Sequence, residues 1–252
     1  VSNTNGTITS SVSANAAAGF SIVSWDGASN ATGDQLNNGG AYWTIGHGLS
    51  QAPELIIVKK RNGAGGWYVG SDSLGSTPWV SGSHLVLSAT AANANNANIL
   101  WGNTAPSSTV FKVGGWDVIN RSGDTYISYC FHSVTGYSKF GSYSGTGSSG
   151  NAITTGFAPA FVMIKSTTVS TAGWVLYDNT RNSFNPVTSR LMADSSNAES
   201  ESTVLEFNST GFNILATGTG MNGSGEDYIY AAFADTREYA YWLDQSGNNN
   251  DW

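Results

Sequence analysis

The residues 52–68, APELIIVKKRNGAGGWY, recur further down the same chain, and that recurrence limits the fold more than any other feature. From Ala158 the sequence reads APAFVMIKSTTVSTAGWVLY. Pro53, Leu55, Ile57 and Lys59 thus meet Pro159, Phe161, Met163 and Lys165 at a constant offset (53 to 159, 59 to 165). The pair Gly66-Trp67 returns as Gly173-Trp174. Large apolar residues alternate over a short span, then a Gly/Ser/Thr-rich turn leads into an aromatic strand, the pattern of a β-hairpin with one buried face. A proline opening each copy suits a strand start, because it has no N–H for the ladder.

Three further segments repeat in the same order: Gly19-Phe20-Ser21 with Gly136-Tyr137-Ser138, Ser108–Phe111 with Ser209–Phe212, and Ser122–Phe131 with Ser224–Phe233. Solenoid repeats are about 20–50 residues long, so a period of this size signals a whole domain copied in tandem. The expected fold is all-β, with two antiparallel β-sandwiches of jelly-roll-like or lectin-like form. The expected divisions are an extended lead-in at 1–18 that pairs with a neighbouring domain or subunit, units at 19–134 and 135–235, and a connector at 236–252. Trp67 and Trp174, at one repeat position, are expected to pack in the core of each unit.

The chain carries only 11% charged residues, less than half the usual share of about 25%, so its surface must be Ser, Thr, Asn and Gly. Such a surface suits a secreted or virion-borne protein. A net charge of −7, with no basic cluster larger than Lys59-Lys60-Arg61, argues against nucleic acid as a partner. No run is long and apolar enough for a membrane helix, so membrane insertion is not expected. The single cysteine, Cys130, lies in an apolar strand and reads as a buried, inert thiol. A chain that starts at Val1 is expected to be a processed product or a fragment.

Catalysis finds little support. His47, His84 and His132 match no zinc spacing, and no serine sits in a nucleophile elbow. The carboxylates Asp117 with Asp124, or Glu226 with Asp227, are the only candidate glycosidase pairs, but Asp124 and Glu226 hold equivalent turn positions, where a carboxylate accepts backbone N–H groups. No enzyme and no cofactor is expected. Calcium on the Asp26–Asp34 loop is an open alternative without an EF-hand or RTX pattern. The tryptophans lacking an obvious counterpart in the second copy, Trp43, Trp79, Trp101 and Trp116, are the candidate glycan-binding residues, because a loop aromatic can stack on the apolar face of a sugar. The contact is expected on loops 27–40, 77–83 and 101–117. The competing reading of each ring is a wedge or lid over the core.

The runs Ile8–Ser24, Thr44–Leu49 and Ala52–Lys59, with Gly156–Lys165 and Ser224–Phe233, resemble a repeated domain of unknown function found in tail-fibre and other virion proteins of marine phages and cyanophages. The resemblance spans roughly residues 8–235, and Leu243–Trp252 resembles the entry into a further lectin-like sandwich. It implies a non-enzymatic virion protein at an extracellular location, a tail-fibre or appendage module that contacts a host-surface glycan or receptor and other virion proteins. It also implies a homo-oligomer, a trimer where the module sits in a fibre. Head decoration or fibre shaft is the structural alternative, and a polysaccharide depolymerase the third.

Overall fold

A computed structural model describes residues 1–31, 42–95, 100–182 and 184–235. In chain order the first half contains β1 (Ser2–Asn3), β2 (Ser10–Asn15), β3 (Phe20–Asp26), β4 (Trp43–Gly46), β5 (Leu55–Lys60) and β6 (Trp67–Ser71). A single helical turn, α1 (Pro78–Ser81), precedes β7 (Ser83–Val86), β8 (Ala94–Asn95), β9 (Val110–Val113) and β10 (Thr125–Phe131). The second half contains β11 (Ser138–Ser144), β12 (Asn151–Thr154), β13 (Pro159–Ser166) and β14 (Val175–Asp178). It ends with β15 (Val187–Met192), β16 (Ser200–Asn208), β17 (Gly211–Ile214) and β18 (Asp227–Ala234). The protein is all-β and its named strands pair antiparallel, as expected.

The two eight-stranded sheets run β1-β2-β3-β10-β5-β6-β7-β8 and β11-β18-β13-β14-β15-β16-β17-β12. Their shared part has one order: opening strand, closing strand, then the hairpin and a further strand. All four repeated segments fall on corresponding strands, β3 with β11, β5–β6 with β13–β14, β9 with β17 and β10 with β18. Both copies also turn through a glycine of positive φ before the closing strand, Gly123 (83°) and Gly225 (78°), a conformation that costs glycine least. The halves differ at both edges: β1 and β2 extend the first sheet beyond β3, whereas β11 is the edge strand of the second. In the first, β4 and β9 form a separate two-stranded sheet, whereas in the second β16 links β15 to β17 and β12.

Three apolar cores follow from strand alternation. On β5, Ile56 and Val58 face the first core, which Val23, Trp25, Tyr126 and Cys130 share with Ile45 and Phe111 of the small sheet. On β13, Val162 and Ile164 face the second core with Tyr177, Leu205, Phe212 and Tyr228. The opposite faces of the same strands meet each other: Leu55, Ile57 and Val69 pack with Phe140, Trp174, Ile229 and Ala231 in a third core between the sheets.

This junction corrects two expectations. The repeated hairpins bury both faces, and the matched positions Leu55/Phe161 and Ile57/Met163 lie on the face turned toward the other sheet. Nor do the matched tryptophans fill the core of each half. Trp174 is buried in the junction and its Nε1–H donates to the Val86 carbonyl at 3.0 Å, tying the two sheets together. Trp67 is half-buried at the rim of the same junction, stacked on Tyr129.

The lead-in is extended, and its partner is the chain's own first sheet, Ser10–Asn15 pairing with Phe20–Trp25. Ser200–Asn208 is the longest strand, β16. Leu100 and Trp101 lie outside any strand, and Asp34 with most of loop 27–40, as well as the connector 236–252, lies outside the described residues.

Candidate functional site: a polar cleft between the sheets

The junction is apolar at its centre and polar at one end, because the inward-facing register continues past the last apolar residue. On β11 the face carrying Phe140 goes on to Ser142 and Ser144, and on β18 the face carrying Ile229 and Ala231 begins at Asp227. There the sheets part around a cleft of about 830 Å³, which the turn 72–75 and Ala92-Asn93 close from the first sheet and Thr167-Thr168 closes from the second. This is within the usual range of small-ligand sites.

The walls are pinned. Ser144 Oγ–H donates to Asp227 Oδ1 at 2.7 Å, and Thr167 N–H donates to the Asp227 carbonyl at 2.8 Å. The Asn93 N–H crosses between sheets to the Thr167 carbonyl at 2.8 Å. Tyr143 and Tyr228 stack with ring centres 5.0 Å apart, and their hydroxyls donate to the Met221 and Thr219 carbonyls, so neither hydroxyl is free for a ligand. Trp79 Nε1–H donates to Asp72, whose carboxyl burial pushes above its ordinary range, the nearby Glu54 charge adding to that against the hydrogen bond. Among the described residues the Asn93 Oδ1 is buried without a hydrogen-bond partner. A buried acceptor left unpaired costs roughly 1–3 kcal/mol.

A family model described as a domain of unknown function, DUF7483, matches residues 1–237. The chain belongs to this family. The match runs through both sheets, so the cleft lies inside the DUF7483 unit. No curated protein and no solved structure matches the chain.

The tryptophans chosen from the DUF7483 sequence lie elsewhere, and three of the four are core residues. Trp101 is 1% exposed and Trp79 3%; the rings meet edge-to-face at 5.3 Å, and Trp101 Nε1–H donates to the Ser83 carbonyl at 2.9 Å. Trp43 is buried in the same cluster, with Nε1–H donating to Asn30 Oδ1 at 3.1 Å. None of these three offers a free face to a sugar. Trp116 is half-buried and set edge-on to Tyr68 at 5.3 Å. Pro78 beside Trp79 mimics a surface loop, whereas here it opens the one-turn helix α1, which inserts the ring into the first core, and Trp101 enters the same core from a turn.

Other candidates have structural partners. Asp124 is ion-paired with Lys60 at 2.7 Å, and Glu226 accepts from Thr168 Oγ1–H. Cys130 is fully buried and its thiol is pushed up to about 12 by that burial, so it stays protonated and unreactive. His47 bridges backbone to backbone: its Nδ1 accepts from Leu49 N–H at 3.2 Å, which makes Nε2 the protonated nitrogen that donates to the Ser107 carbonyl at 3.0 Å. Among the described residues no group of three or more His, Cys, Asp or Glu is placed to hold a metal ion.

Residues 72, 93, 142, 144, 167 and 227 come from separate segments with no shared motif. In sequence each looks like an ordinary solvated turn or strand end.

Proposed function

We propose that this DUF7483 chain is a non-enzymatic virion protein, a tail-fibre or appendage module, that receives a host-surface glycan in the cleft between its sheets. The observation that carries the reading is the cleft's lining. It offers serine, threonine and asparagine groups, two carboxylates and an unpaired buried acceptor, a set matched to the hydroxyls of a polar neutral ligand. The resemblance to virion proteins supplies the setting. Oligomerisation, as a trimer in a fibre, and an extracellular location belong to the same proposal.

We also infer that the halves are tandem β-sandwich copies of one ancestral unit, supported by the common strand order and by the four repeated segments on corresponding strands. Pairing through a shared apolar junction would then explain why the hairpin residues recur.

Catalysis is disfavoured by the engagement of the cleft carboxylates, Asp72 by Trp79 and Asp227 by Ser144. A purely structural role has one specific observation in its favour: the tryptophans are spent on packing, and the junction stiffens the chain.

The test is a glycan array probed with wild type and with Ser142→Trp, which projects a bulky ring into the cleft from an exposed position. Binding by wild type and its marked weakening in the variant at unchanged melting temperature is the expected result. No binding by wild type would leave the structural reading, and equal binding by both would remove the cleft as the site.

A further inference from the structure

The second sheet presents one large aromatic ring to water. Phe184 is 84% exposed, the one aromatic ring among the large exposed apolar side chains of the described residues. It borders a groove of about 310 Å³ lined by the start of β13, by Asn179, Asn182, Asn185 and Val187, and by the end of β16. The groove and the cleft lie at opposite ends of β13, an eight-residue strand, and are therefore separated by roughly 20–25 Å at about 3.3 Å per residue.

Asn182 and Asn185, on either side of the ring, are each held by hydrogen bonds. Asn182 Oδ1 accepts from the Thr188 N–H at 3.0 Å and also from the Ser189 N–H. Asn185 clasps the Phe207 backbone, Oδ1 accepting from its N–H at 3.0 Å and Nδ2–H donating to its carbonyl. The ring is thus presented to solvent by bonds on both flanks. Such preorganisation lowers the ordering cost of a ligand.

The groove's lining contains no charged side chain. Arg181, the nearest cation in sequence, is already paired with Asp178 and Glu199, so it is not available to an anionic ligand. The polar groups left over are carboxamides: among the described residues the Asn179 side chain makes no hydrogen bond and Asn182 Nδ2 donates none. An aromatic face beside unpaired amide donors and acceptors matches a pyranose, whose C–H face stacks on the ring while its hydroxyls bond the amides.

We propose that the Phe184 groove is a second binding site, separate from the cleft, for a neutral saccharide. It shares the glycan class with the cleft reading but none of its residues, so either site can fail alone.

Saturation-transfer NMR with millimolar methyl glycosides of glucose, galactose, mannose and N-acetylglucosamine tests it in the Ser142→Trp background, where the cleft is obstructed. At least one glycoside should show saturation, strongest on the C–H protons of one ring face. Adding Phe184→Ala should weaken that binding roughly tenfold or more, equivalent to about 1.4 kcal/mol, with melting temperature unchanged. Asn179→Ala should weaken it less. Absence of saturation for all four glycosides in Ser142→Trp, or undiminished saturation after Phe184→Ala, would overturn the proposal. So would a monomer formed only by Phe184→Ala from a self-associating parent, because the ring would then be covered by a second copy.

Discussion

Lys165 is the most informative residue to perturb, because it is wholly buried at the junction between the sheets, behind the cleft. Its Nζ donates to the Thr90 carbonyl of the first half at 3.1 Å and to the Ser166 carbonyl at 2.6 Å. Desolvation lowers its pKa from 10.5 to about 8, against a raising pull from Asp194. Below pH 8 the amine is charged in both folded and unfolded chains, and holding that charge in the folded state costs about 3 kcal/mol, because a tenfold change in proton affinity is worth ~1.4 kcal/mol. Between pH 8 and 10.5 the unfolded chain holds the extra proton, so stability rises with pH. Integrated from pH 7 to 9, the gain is about 1.3 kcal/mol. Opposing groups enter later. Cys130, raised from 9.0 to about 12, removes stability as pH climbs past 9, and buried tyrosines such as Tyr177, also raised to about 12, do so past 10. The measurement is urea unfolding of wild type and Lys165→Met at pH 7, 8 and 9, compared as a difference so that the other groups cancel. Wild type should gain on the variant by about 1 kcal/mol over that range. Parallel profiles would refute the burial argument.

Gly70→Ala should cost about 1–3 kcal/mol by overpacking, since a Cβ there would lie 2.6–2.7 Å from the Trp79 and Trp101 rings, with loss of melting temperature as the readout. Trp101→Ala should cost about 3–5 kcal/mol in urea as a large-to-small core change, whereas Trp116→Ala, half-buried, should cost clearly less. His47 and His84 have pKa values lowered chiefly by burial, so as pH falls through 6.5 the unfolded chain protonates first and stability drops. Melting temperatures from pH 7 to 5 should fall more steeply for wild type than for His47→Gln/His84→Gln.

Much of the strand pattern is legible in sequence because alternation and turn residues act locally. The repeated segments ending at Phe111, Phe131 and Phe233 all run into strands, β9, β10 and β18. What sequence leaves open is which face meets which partner. Alternating Leu55, Ile56, Ile57 and Val58 are all apolar, so the pattern cannot say that two of them serve the first core and two the junction. The tryptophans mislead for a related reason: local Pro and Gly report a turn, and only the tertiary fold turns Trp79 and Trp101 inward. The lead-in reads as extended, but its partner does not show, because β2 alternates serine with small residues, Ser10 and Val12 being the inward pair. The cleft is invisible from sequence because its polar lining is drawn from five separate segments of an already polar surface. Phe184 is different: a lone aromatic among asparagines is visible in sequence, but its exposure is not.

The most direct test of the account is a crystal of the chain soaked with neutral oligosaccharide from the array that binds it best. Sugar density in the cleft, with a hydroxyl within hydrogen-bonding distance of Asn93 Oδ1 and further contacts to Asp72 or Asp227, is the predicted result. A clean cleft, with sugar absent or seated only elsewhere on the molecule, would contradict it.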